Sequence, residues 1–161
     1  MKAEELINQL KLEKHPEGGY FREIYRSESE IPESALSKDY SGKRNTATSI
    51  YFLLTDNEFS AFHKIKSDEI WYFHQGNSVE IYMLSPEGLD VKKLGVQIGD
   101  QFQLLIPKNT WFGAKVVGKG YTLVSCMVAP GFSFDDFELG KREDLLKLFP
   151  EQATIVKELS R

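Results

Sequence analysis

Residues 59–76 read FSAFHKIKSDEIWYFHQG. Apolar and polar residues alternate on either side of a Lys-Ser-Asp separator, the pattern of two short strands joined by a tight turn. With His63 taken as inward-facing, Ile65 shares its face; beyond the turn, Glu69, Trp71 and Phe73 share one face of the next strand. The hairpin thereby carries the His63 imidazole towards the Glu69 carboxylate. Such a pair, partly buried beside aromatic rings, has its pKa values shifted and can act as acid and base. The plainer reading is a structural hydrogen bond that holds the hairpin; the same pair could also contribute two ligands to a metal ion, fewer than the three or four a mononuclear site usually needs. His74 has the opposite parity to Glu69 and is expected to face away.

The pattern of this hairpin repeats outward. From residue 46 to 130 the chain is strand after strand, TATSIYFLLT through YTLVSCMVAP, with DNE, KSD, GNS, PEG, IGD, PKNT and GKG as separators. Each separator carries turn formers, and many short strands at near-regular spacing predict an all-β sandwich or barrel. Several strands are apolar on both faces, which fits a barrel covered in part by other elements or by a second subunit. Residues 2–12 predict a short helix, with Leu6, Ile7 and Leu10 on one face and Glu4 and Glu5 in its first turn. HPEGGYF then breaks it, since Pro16, Gly18 and Gly19 demand a turn or a close backbone approach; His15 is read as exposed. Residues 19–27 read as a strand and 28–45 as one long polar loop, the kind that is often functional or covers a site. An extended arm over 131–139 and two short helices, 142–148 and 151–159, close the chain.

Composition bounds what such a barrel can do. The 161 residues suit one domain, 41% are hydrophobic and 12% aromatic, and 20 basic against 24 acidic residues give a net charge of −4. With no basic stripe to neutralise phosphates, nucleic acid is not an expected partner. A single cysteine, Cys126, rules out an internal disulfide and suits a reducing compartment; it reads as an inert core thiol. The apolar runs are strand-sized, too short to span a bilayer, and MKAEELINQL is charged rather than signal-like. A cytoplasmic protein without a membrane partner is expected. Nucleophile elbow, phosphate-cradling glycine loop and paired-cysteine motif are all missing, so no cofactor is expected.

The hairpin also resembles the first motif of the cupin superfamily, G-x5-H-x-H-x3/4-E-x6-G. His63, Glu69 and Gly76 fall at matching spacings, Asn57 stands at the leading glycine and Ile65 replaces the second histidine. In the second motif, G-x5-P-x-G-x2-H-x3-N, Pro107 matches, but Asn109 and Phe112 stand at the glycine and histidine positions. Two of the four customary metal ligands are thus replaced by side chains that bind no metal. The chain resembles more closely the cupin subfamily long catalogued as a domain of unknown function, the fifth of that name. HPEGGYFREIYRS, TSIYFLL, FSAFHKIKSDEIWYFHQG, IPKNTWFGA and VAPGFSFDDFEL match its opening, first barrel strand, centre, second motif and closing arm, in order. The resemblance implies a double-stranded β-helix, or jelly-roll barrel, usually a homodimer with an open pocket. It also implies similarity to cupins of the deoxysugar-nucleotide epimerase type.

The resulting expectation is a pocket for a small polar, possibly carbohydrate-like molecule, with isomerase or epimerase chemistry and no metal. His63 is expected to take a proton beside a carbonyl, Glu69 to orient or charge-stabilise it, and Tyr51 to return a proton. Ser49 is expected to alternate inward with Tyr51. Trp71 and Phe73 are expected to stack on a ring, Gln103 to offer an amide, and Phe112 to line the site at its motif position. The rivals are a binding module without catalysis and a metal-dependent cupin with a degenerate site. Arg22 and Arg26 stand near the GGY turn, where a pocket arginine would suit a carboxylate or phosphate.

Overall fold

The computed structural model describes residues 2–161. Helix α1 (Ala3–Leu10) leads through β1 (Glu13–Lys14) into β2 (Tyr20–Arg26), and β3 (Glu30–Ile31) pairs with β4 (Arg44–Asn45). The barrel strands follow: β5 (Thr48–Thr55), β6 (Phe59–Lys64), β7 (Asp68–Gly76), β8 (Val79–Ser85), β9 (Gly88–Leu94), β10 (Gln103–Ile106), β11 (Trp111–Val116) and β12 (Tyr121–Ala129). Strand β13 (Glu138–Leu139) and helices α2 (Arg142–Leu148) and α3 (Ala153–Glu158) complete the chain.

The strands form two antiparallel sheets, ordered β1-β2-β5-β12-β7-β10 and β13-β6-β11-β8-β9. Together they make the jelly-roll barrel that the strand spacing and the resemblance predict. Period-two alternation supplies the core between them: Phe52 and Leu54 from β5, Trp71 from β7, Ile81 from β8, Ile106 from β10, Phe112 from β11, Val124 and Cys126 from β12. Each large side chain buried in this way contributes roughly 1.5–3 kcal/mol.

The second apolar face of several strands has its own cover. Phe62, Tyr82, Leu84 and Trp111, on the outer side of the five-stranded sheet, pack against Leu145, Ile155, Val156 and Leu159 of the C-terminal helices. Leu53 and Leu123, on the outer side of the other sheet, pack under Leu6 and Leu12 at the N-terminal end. Glu5 in the first turn of α1 accepts from the Lys2 main-chain N–H at 2.8 Å, satisfying one of the free amides at that helix end.

Residues 28–45 are not a structureless loop. The β3–β4 pair and a single helical turn at Glu33–Ala35 order them, and two buried side chains anchor them. The Tyr40 hydroxyl donates to the Lys66 carbonyl at 2.7 Å, and the Arg44 guanidinium grips both Asp136 oxygens at 2.7 Å. The segment therefore fastens the β6–β7 turn and the closing arm to the barrel. Among the described residues no helix is long and apolar enough to cross a membrane.

Candidate active site

A cavity of about 530 Å³ opens between the two sheets. Phe21, Ile50, Phe52, Trp71 and Val128 of the six-stranded sheet form one wall; His63 and Ile65 form the opposite one. Phe132, Phe134 and Phe137 of the closing arm lie across it, and the N-terminal turn inserts His15 and Glu17. Aromatic rings form much of the cavity wall, paired charges such as Arg26–Glu23 and Arg44–Asp136 stand at its rim, and four titratable side chains, His15, Glu17, His63 and Glu69, meet inside it.

His63 is buried, and both of its ring nitrogens are engaged. Nδ1 lies 2.7 Å from the Ala61 carbonyl oxygen, which can only accept, so Nδ1 carries a proton. Nε2 lies 3.0 Å from Glu17 Oε2. A lone pair facing a carboxylate oxygen at this distance requires one proton between them, on the imidazole or on the carboxyl. Burial lowers the His63 pKa and raises that of Glu17, so the proton resides on the carboxyl and the pair is neutral. Ser60 donates its hydroxyl to the other Glu17 oxygen at 2.7 Å. Ser60 and His63, three residues apart on β6, reach one carboxyl because the β6–β11 register slips between them.

Glu69 completes the cluster. Its Oε1 accepts from the Trp71 indole N–H at 2.8 Å, and the Cys126 thiol also donates to it. Burial pushes its pKa up to about 7. Glu69 therefore exists in both protonation states near neutral pH. Burial pushes the Cys126 thiol well up, so it stays protonated as a donor to Glu69; it is a core thiol that also borders the cavity.

The structure brings His63, Glu69 and Trp71 together as the hairpin alternation predicts. Tyr51 and Ser49 are a correction. Thr48, Ile50 and Phe52 are the β5 residues that line the cavity, so Ser49 and Tyr51 turn to the outer face, where the Tyr51 ring packs 5.9 Å from His74. Phe73 packs at the edge of the core, with its main-chain N–H bonded to Phe102, outside the cavity. Gln103 is exposed on edge strand β10, opposite Tyr72. Phe112 is fully buried behind His63, its ring centroid 4.1 Å from the imidazole, and supports that ring rather than lining the cavity. His74 faces away as expected, bonded to the Ser125 hydroxyl at 2.6 Å.

Two cavity residues escaped the sequence reading. His15, expected to be exposed, has a side chain 7% exposed, and Glu17 lies at the heart of the cluster. The signal was the Gly18-Gly19 pair that follows them. Both glycines have positive φ, +114° and +75°, and a Cβ on either would press into main-chain oxygens of Phe59 or Leu53. Only glycine lets the turn sink this far into the barrel mouth. The Ala61 N–H, donating to the Glu17 carbonyl at 2.8 Å, fastens it there.

The donor set does not fit the metal that cupin barrels customarily hold. At the four motif positions, Ile65 and Phe112 offer no ligand atom, both His63 nitrogens are occupied, and Glu69 is held by Trp71 and Cys126. Among the described residues no three histidine, cysteine, aspartate or glutamate side chains converge to hold a metal ion.

A jelly-roll barrel with a polar cluster set in an aromatic cavity between its sheets is the architecture of a cupin. A family model described as Cupin superfamily (DUF985) matches residues 4–140, and the chain belongs to that family. Its relatives include the "Uncharacterized protein YML079W" of Saccharomyces cerevisiae, 33% identical, with 93% of this chain and 82% of that protein covered. The crystal structure of protein SO0799 from Shewanella oneidensis is 45% identical with a TM-score of 0.91, covering 100% of this chain and 98% of that one. A hypothetical protein from Leishmania major is 30% identical with a TM-score of 0.89, covering 99% of each chain.

Proposed function

We propose that this cupin binds a small polar, sugar-like molecule in the barrel cavity and moves a proton at a carbon beside the ligand's carbonyl, an isomerase or epimerase reaction. The observation that carries the reading is the buried Glu17–His63–Glu69 cluster opening onto an aromatic-walled cavity. A buried carboxyl poised near neutral pH in an aromatic cavity is the arrangement of a general base. Glu69, near its midpoint at neutral pH, takes the proton from carbon as the bond electrons move into the carbonyl. Glu69 then returns the proton to the same carbon or to its enediol neighbour, while Glu17 keeps the proton it shares with His63. His63 fixes the Glu17 carboxyl and is a positioning residue, because neither of its nitrogens is free for the ligand.

The reading is tested in heavy water with a panel of neutral ketoses and cyclic hydroxyketones, followed by mass spectrometry. Deuterium enters carbon-bound positions with the wild-type protein, and the rate falls at least about a hundredfold in Glu69→Gln. Saturable binding without incorporation marks a binding module and refutes the catalytic reading.

For the assembly, we propose a homodimer through the outer face of the six-stranded sheet. Register aligns Tyr25, Ser49, Met127, Ile70 and Leu105 in one row across β2, β5, β12, β7 and β10. Tyr25 is 54%, Leu105 49% and Met127 37% exposed, an apolar strip that neither α1 nor the C-terminal helices cover. Light scattering at micromolar concentration gives twice the chain mass, and Met127→Glu returns it to the monomer. A wild-type monomer under those conditions contradicts the assignment.

A further inference from the structure

Of the ring N–H donors that line the cavity, that of Trp71 is taken by Glu69 and that of His63 by Ala61. His15 differs. Its Nδ1 accepts the Glu17 main-chain N–H at 3.2 Å, so that nitrogen bears no proton and the ring proton sits on Nε2. Nε2 is not sealed in the core; it opens to the cavity and has no hydrogen-bond partner among the described residues. The ring cannot swivel to find one. Phe21 and Phe137 meet it edge-on at 4.7 and 6.0 Å, and Phe134 lies nearly parallel at 6.3 Å. Main-chain bonds from Gly18 N to His15 O and from His15 N to Gly19 O, both 3.0 Å, close the turn beneath it. A donor that opens to the cavity from a ring more than nine-tenths buried, fixed in direction and without a protein partner, is a group that awaits an acceptor.

The cavity also constrains the charge of its occupant. Each cation on its rim is already paired: Arg26 with Glu23, Arg44 with Asp136, Lys43 with Glu30. An anion would meet no free cation and would face the Glu69 carboxyl.

We infer that His15 is a substrate-contacting residue whose Nε2–H binds and polarises the carbonyl oxygen of a neutral cyclic compound, held with a proton-bearing group towards Glu69. This rests on the cavity being the ligand site, as proposed above, and adds the substrate class and the electrophilic group. Burial lowers the His15 pKa, so the imidazole stays neutral and keeps its donor in place.

The probe is δ-valerolactam, a neutral six-membered ring with a carbonyl beside an N–H, titrated into the 15N-labelled full-length protein. Long-range 1H–15N spectra of the histidine rings report the tautomer; the Trp71 indole N–H reports cavity occupancy. The expected result is His15 with Nδ1 bare and Nε2 protonated, its Nε2–H signal moving with lactam alongside that of Trp71. His15→Phe, which keeps the ring packing and removes the donor, then weakens binding about tenfold. A proton on Nδ1 of His15 overturns the inference. So does lactam that moves Trp71 but not His15 Nε2–H, or that binds His15→Phe as tightly as wild type; either result leaves the cavity standing as a ligand site. Lactam that moves neither signal overturns both the neutral-ring class and the reading on which it rests.

Discussion

Glu69→Gln should change the pH dependence of stability by a calculable amount. Burial holds the Glu69 proton from the ordinary 4.5 up to about 7, and the Trp71 and Cys126 donors only partly offset this. Between those two values the folded chain keeps a proton that the unfolded chain has released, so stability is full below 4.5 and is lost as pH rises through 7. At about 1.4 kcal/mol per pH unit, the full effect is about 3.4 kcal/mol, of which roughly 2.5 kcal/mol falls between pH 5 and 8. The two buried histidines act in the opposite sense: their lowered pKa values cost stability as pH falls below 6.5. Both proteins share those histidines, so the difference between wild type and variant isolates the carboxyl. Glutamine keeps an oxygen for the Trp71 indole and cannot ionise. Urea unfolding at half-unit pH steps should therefore show wild type losing about 2.5 kcal/mol relative to Glu69→Gln from pH 5 to 8, with the variant the more stable at pH 8. Parallel profiles for the two proteins would refute a buried carboxyl with a raised pKa at this position.

Two further perturbations probe what holds the cluster in place. Gly18→Ala forces a side chain onto a residue with φ of +114° and against the Phe59 carbonyl, so the turn carrying His15 and Glu17 must lift. We expect a loss of about 1–3 kcal/mol by thermal unfolding, with His63 losing its Glu17 partner in NMR spectra. Arg44→Ala strips Asp136 of its bidentate partner, leaving Lys66 at 3.7 Å as the nearest cation; an uncompensated buried charge of this kind costs about 3–5 kcal/mol in urea unfolding. Replacing both as Arg44→Met with Asp136→Leu should recover most of that loss, because no buried charge is then left unpaired.

How far the sequence reached depends on whether an element is governed by local alternation. The β6–β7 hairpin was legible because period-two patterning assigns His63, Glu69 and Trp71 to one face once a single residue is placed. The same rule fails on β5, where alternation offers Tyr51 as readily as Phe52 for the inner face. That strand is apolar on both sides, Leu53 packing under α1 and Phe52 in the barrel, so alternation alone does not say which face is inner. Glu17 and His15 were missed for a different reason. A polar turn beside a proline reads as surface, and only the two close-approach glycines hint that it is buried. The 28–45 segment looked loose because its anchor is non-local: Arg44 meets Asp136, 92 residues away in sequence. Phe73 and Gln103 have no such excuse in their periodicity; they lie towards the barrel end and edge, beyond the reach of the cavity.

The Glu17–His63 contact is the centre of the cluster, and the ring protonation of His63 tests it most directly. Long-range 1H–15N NMR of the full-length protein at pH 7 should find His63 neutral with its proton on Nδ1, held by the Ala61 carbonyl, and Nε2 bare towards the Glu17 carboxyl. A His63 with its proton on Nε2 and Nδ1 bare, or one that titrates freely near 6.5, would contradict a neutral pair that keeps its proton on the carboxyl.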